Sequence, residues 1–165
     1  MRLRLAASLA SLASLALLAG CGFHLQGVSR LPGAFEATYL EAADRYTEFH
    51  RALEADLRAA GSRLVGPGEK PGATVEVLSD DSGQRVLSVS ATNIPTEYEV
   101  YYTVKYRVLL GGREALPPQT LTRTRDYSFN ETAVLAKEQE QALLTAALAR
   151  DIAALVLRRL AALAP

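Results

Sequence analysis

The sequence predicts an α+β fold: a two-layer sandwich with two helices packed on one face of a roughly four-stranded sheet. Three observations lead there. Apolar residues recur at helical spacing in two segments, one near residue 50 and one at the C-terminal end. Between them, strand-length runs alternate apolar and polar residues. The order is strand, helix, several strands, helix, and antiparallel strands with segregated helices give that layering. A chain of 165 residues with 49% hydrophobic and 22% charged residues can bury one sizeable core and does not read as disordered.

The first element is not part of that core. Arg2 and Arg4 precede an apolar run from Leu5 to Ala19. A positive start, an apolar stretch of about 13 residues and a small-residue exit make a secretory signal, too short for a permanent transmembrane helix. Its exit, Leu18-Ala19-Gly20-Cys21, resembles the bacterial lipobox. There the cysteine is acylated on sulfur, as by palmitate, and becomes the new N-terminus. Residues 1–20 are therefore expected to be a lipoprotein signal peptide, 21–34 a lipidated tether, and 35–165 a single domain. By resemblance to sorted lipoproteins of Gram-negative bacteria, Gly22 rather than Asp after the cysteine favours the outer membrane, so the expected location is the outer membrane, lipid-anchored, with the domain on the periplasmic side. Several acyl chains at about 0.8 kcal/mol per buried methylene give stable anchoring.

Along the mature chain, Gly22, Gly27, Pro32 and Gly33 mark residues 22–34 as an extended lead-in. Phe35–Leu40 reads as a strand. A helix then runs from Asp44 or Thr47 to Ala60, with Tyr46, Phe49, Leu53, Leu57 and Ala60 on one stripe and Gly61 as its left-handed stop. Gly66–Gly72 is a turn-rich linker. Thr74–Ser79 and Gln84–Thr92 alternate as strand around Asp80-Asp81-Ser82-Gly83, consistent with a hairpin or with one long bulged strand. From Tyr98 to Leu110 the even positions form one face of a half-buried strand, with Tyr101, Thr103, Lys105 and Arg107 on the other. Gly111-Gly112 turns the chain into a fourth strand, Gln119–Phe129, whose inward parity is ambiguous. Glu131–Ala164 is a long helix, capped by Asn130, with Leu144, Leu148, Ile152, Leu155 or Val156, and Leu160 facing the core.

The chemistry-bearing residues do not assemble an enzyme. There is no Gly-rich phosphate loop, GxSxG, HExxH or CxxC. One cysteine excludes an internal disulfide and a cysteine-rich zinc site, and two histidines, His24 and His50, make no metal cage. No catalytic residue, metal or cofactor is expected. His50 beside Phe49 and Leu53 reads as a rim residue of the core, and Asp80-Asp81 as a solvated bend. Loss of Arg2 and Arg4 takes the net charge from zero to −2, so nucleic acid is not an expected partner. What is left is the outer face of the sheet. Lys105 and Arg107 alternate outward on the third strand and Arg123 and Arg125 share one parity of the fourth; if those strands pair, the four cations gather into a patch suited to an anionic amphiphile or an acidic protein. The alternative is an ordinary solvated face with edge-protecting charges.

Four motifs in order carry a resemblance. They are Cys21-Gly22-Phe23-His24-Leu25-Gln26-Gly27, Thr96-Glu97-Tyr98-Glu99, Gly112-Arg113, and Val134-Leu135-Ala136-Lys137-Glu138-Gln139-Glu140. Together they resemble the lipopolysaccharide-assembly lipoprotein family LptE over nearly all of residues 17–160. The resemblance implies two helices on a four-stranded sheet and a non-enzymatic role. The domain would plug the lumen of an LptD-type outer-membrane β-barrel, and the pair would insert lipopolysaccharide into the outer leaflet. It further implies that Lys137 contacts lipopolysaccharide. A second basic position of the family falls at Ala91, Thr92 and Asn93, none of them basic, with Arg85 the nearest cation upstream. Lipopolysaccharide carries several phosphates, so Lys137 is expected to act with Arg123, Arg125 or Lys105. The alternative reading is a periplasmic lipoprotein that binds another envelope protein or a small ligand.

Only a thiol at position 21 accepts the acyl chain. Cys21→Ala should therefore abolish incorporation of labelled palmitate while leaving the domain folded, and label on the variant would refute the lipobox reading.

Overall fold

The computed structural model describes residues 31–129 and 134–163. Cys21, His24 and the expected cap Asn130 lie outside them. A short 3-10 turn, Gly33–Phe35, leads into β1 (Ala37–Ala42), then α1 (Glu48–Ala59), β2 (Arg63–Leu64), β3 (Ala73–Val89), β4 (Pro95–Leu110), β5 (Arg113–Ser128) and α2 (Val134–Ala161). The fold is α+β as expected. The sheet has five strands in the order β2-β1-β3-β4-β5, one more than the approximate four, because two-residue β2 joins it. It is also mixed: β1 pairs in parallel with both β2 and β3, while β3-β4-β5 form an antiparallel meander. α1 connects β1 to β2, which is why these two can run in parallel.

Helix α1 starts where its chemistry says. The Thr47 hydroxyl accepts the His50 amide at 3.1 Å, capping an orphan N–H. Phe49, Leu53 and Leu57 are fully buried as expected. Tyr46 is not: it precedes the cap, its amide donates to Asp44 Oδ1, and it is 85% exposed. Gly61, at φ +90°, closes the helix, and the Ser62 amide reaches back to the Leu57 carbonyl. Ser62 Oγ then donates to the Phe35 carbonyl at 2.6 Å, tying β2 to the start of β1.

The Asp80–Gly83 stretch is neither hairpin turn nor bend. β3 runs through it, with a register shift between Val77 and Ser79. Ala73, Val75 and Val77 point to the core; after the bulge at Leu78 the inward residues become Asp80, Ser82, Gln84 and Val86, opposite Val104, Tyr102, Val100 and Tyr98. The true turn follows β3, where Asn93 takes φ 63° and its amide donates to the Ser90 carbonyl.

Val100, Tyr102, Val104, Tyr106 and Val108 form the buried face of β4, none more than 2% exposed. On α2, Leu148, Ile152, Val156 and Leu160 fill one ridge, with Val156 rather than Leu155 in the core. Ala149 and Ala153, also fully buried, make a second ridge of small residues alongside it. Leu31 and Ala34 already pack on this core, so the folded unit begins before Phe35.

Leu148 is 1% exposed amid this cluster. Leu148→Ala should cost about 2–5 kcal/mol, seen as a lower urea midpoint, whereas Tyr46→Ala should leave that midpoint unchanged.

Candidate functional site

The register decides which cations stand together. Val100 lies opposite Arg125, Tyr102 opposite Arg123, and Lys105 opposite Thr120. Directly opposed residues share a face, so Arg123 and Arg125 lie on the helix-bearing face and Lys105 and Arg107 on the outer one. The expected four-cation patch is therefore split. Arg107 pairs with Glu76 on the outer face, and Arg125 reaches Asp151 of α2 at 3.4 Å. A sequence signal for this existed: Leu121, Arg123, Arg125, Tyr127 and Phe129 share one parity, and the aromatics at its end belong inside.

Lys137 stands with aromatics instead. Val86, Tyr98 and Tyr127 form one row across β3, β4 and β5 on the helix-bearing face. The rings of Tyr98 and Tyr127 stack with centroids 5.8 Å apart, and Phe129 meets Tyr98 edge-on at 5.4 Å. Lys137 Nζ lies 5.9 Å from the Tyr127 centroid and 2.7 Å from Glu140 Oε2, so the ring face and a carboxylate share its charge. Burial raises the Tyr127 phenol above its ordinary pKa, and its Oη donates to Gln84 Oε1 at 2.8 Å. Val86 itself and, beyond the row, Leu87, Val89 and Ile94 leave a large part of their side chains in solvent. A cation thus borders an aromatic shelf that continues into exposed apolar surface, an arrangement suited to an anionic head group with a hydrocarbon tail. Spacing on one strand cannot reveal this row, which exists only through strand pairing.

The remaining candidates have structural roles. Tyr101 sits on the outer face as expected, lying over Gly83: a Cβ there would meet Tyr101 Oη at 2.6 Å. The Tyr102 hydroxyl accepts the Phe49 amide at 3.2 Å, joining β4 to the first turn of α1. His50 is more buried than a rim residue, 5% exposed, with neither ring nitrogen hydrogen-bonded. It borders a groove of about 370 Å³ lined by Tyr39, Arg45, Tyr46 and Glu54.

A family model described as LptE, lipopolysaccharide-assembly, matches residues 35–160. The chain belongs to this family. It is 29% identical over 143 residues to an LPS-assembly lipoprotein LptE from Pectobacterium atrosepticum, covering 86% of the chain and 77% of that relative. The Yersinia enterocolitica protein of the same name is also 29% identical, with 69% of its length covered. Among solved structures, an uncharacterized lipoprotein B from Nitrosomonas europaea superposes with a TM-score of 0.71 at 28% identity, covering 86% of this chain and 91% of that one. A rare lipoprotein B from Shewanella oneidensis gives 0.67 at 27%, covering 76% and 94%. The chain is accordingly a lipopolysaccharide-assembly lipoprotein of the LptE type, and its shelf and Lys137 lie within the matched region.

His50 gives a pH test. Burial is the main cause that holds its pKa below 6.5, with Glu54 opposing and Arg45 assisting. Below about pH 6.5 the unfolded chain takes up a proton that the folded chain resists, so stability should fall on acidification through the folded-state value. Thermal midpoints of the wild type should drop between neutral and mildly acidic pH more than those of His50→Leu; parallel curves would exclude the assignment.

Proposed function

We propose that this protein is a non-enzymatic, outer-membrane lipoprotein that plugs an LptD-type β-barrel and binds lipopolysaccharide for insertion into the outer leaflet. Residues 1–20 are removed, acylated Cys21 holds the chain to the membrane, and the following residues tether the domain on the periplasmic side within the barrel lumen. The observation that carries the lipid part is Lys137 on the aromatic row Val86-Tyr98-Tyr127. The family motifs around Tyr98 and Lys137, far apart in sequence, meet there.

In this reading a lipid phosphate competes with Glu140 for Lys137, and acyl chains lie along Tyr98 and Val86. The contact narrows to Lys137 among the four expected cations. Lys105 is on the wrong face, Arg125 leans towards Asp151, and Arg123 stands four residues, about 13 Å, along β5 from Tyr127. The Tyr127 ring holds the Lys137 ammonium at the edge of the shelf.

Two measurements test this. Tagged, lipidated protein extracted in detergent should bring down a large β-barrel; its absence would favour the alternative of another envelope client or small ligand. Lys137→Ala should retain lipopolysaccharide several-fold less well, as expected for losing a contact of about 0.5–1 kcal/mol. Lys105→Glu should retain it as the wild type does. Equal loss in both variants would indicate diffuse charge attraction and sink the site.

A further inference from the structure

The two edges of the sheet are treated differently. On one side β2 is two residues long and too short to template a strand, and β3 beyond Val77, which has no β1 partner, is broken by register shifts after Val77, Val86 and Ser88. β5 spans Arg113–Ser128 and has no neighbour on its far side among the described residues. Its first half is closed to pairing: Pro117 and Pro118 lack N–H groups, and the ladder is irregular between Tyr106 and Leu109. Its second half pairs regularly with β4 from Gln119 to Ser128.

The direction of the backbone groups in that half follows from one bond. The Phe129 amide donates to the Thr96 carbonyl at 2.8 Å. Antiparallel pairs alternate between bonded and non-bonded, so odd-numbered residues point their N–H and C=O at β4. Thr120, Thr122, Thr124 and Asp126 then point theirs at the open edge. Side chains complete the pattern. On the outer face an added strand would meet three threonines; on the helix-bearing face it would meet half-buried Leu121, then exposed Arg123 and Arg125.

We propose that residues 119–125 of β5 bind an extended, acidic segment of a partner protein by strand addition. Its main chain pairs with Thr120, Thr122 and Thr124, and carboxylates at alternate positions meet Arg123 and Arg125. Charge complementarity selects this occupant: two cations separated by one residue on the same face ask for two acids in the same spacing. A carboxylate there replaces the weak contact of Arg125 with Asp151. Strand addition takes affinity from main-chain bonds and specificity from alternate side chains. The site shares no residue with the Lys137 shelf and does not depend on the lipid reading.

The probe is a fluorescent peptide of about ten residues alternating Glu with Thr or Val, titrated by anisotropy into the full lipidated chain in detergent. Three comparisons accompany it: the peptide with alternate amides N-methylated, the peptide with Lys for Glu, and Arg123→Gln/Arg125→Gln protein. The double variant and the methylated peptide should each bind about tenfold more weakly or worse, and the Lys peptide should not bind. Lipopolysaccharide retention by the double variant should stay at the wild-type level, which separates this edge from the shelf. Equal binding of the methylated peptide would show simple charge attraction, and no binding of the acidic peptide would show that the arginines only guard the edge. Either result overturns the proposal.

Discussion

The antiparallel pairing of β4 with its two neighbours governs the rest of this structure. Its even face, from Val100 to Val108, lies under both helices, and a slip by one residue would turn five buried side chains to water. At about 1.5–3 kcal/mol for each large apolar group, that penalty exceeds any surface electrostatic effect in the molecule. The register is thus set by hydrophobic burial, and the charged residues go where it sends them. Lys105 and Arg107 are sent outward, Arg123 and Arg125 towards the helices.

The bulge at Leu78 follows from the same constraint. With strict alternation, a β3 that buries Ala73, Val75 and Val77 would turn Asp81 and Gly83 inward. One extra residue shifts the phase. Tyr101 then packs over Gly83 on the outer face, and Val86 joins Tyr98 and Tyr127 on the inner one. The row supporting Lys137 therefore depends on a bulge that lies well away along the strand. α2 supplies the other half, since Lys137 in its first turn stands over Tyr127.

Exposed apolar surface is concentrated at that same end, in Val86, Leu87, Val89 and Ile94. A monomer gains nothing by leaving such residues in water beside an aromatic row. An amphiphile or a membrane-embedded partner would cover them, in keeping with a family whose name ties it to lipopolysaccharide assembly. The opposite end, closed by Ser62, Thr38 and the Phe35 carbonyl, is held by buried hydrogen bonds and, among the described residues, offers no comparable surface.

By itself the sequence determined the α+β class, the extent and core stripes of both helices to within a few residues, and the inward face of β4. Each rests on periodicity inside one segment, the 3.6 of a helix or the 2 of a strand, strong here because Phe49, Leu53 and Leu57, or Val100 to Val108, repeat without interruption. It also carried the family motifs and pointed to Lys137. Only the tertiary structure decided the parallel pairing of β1, the phase change at Leu78, the parity of β5 and hence the company Lys137 keeps. Those are relations between strands distant in sequence. A residue's neighbour across a sheet is fixed by register, and register comes from the burial of the whole face, which no local pattern contains.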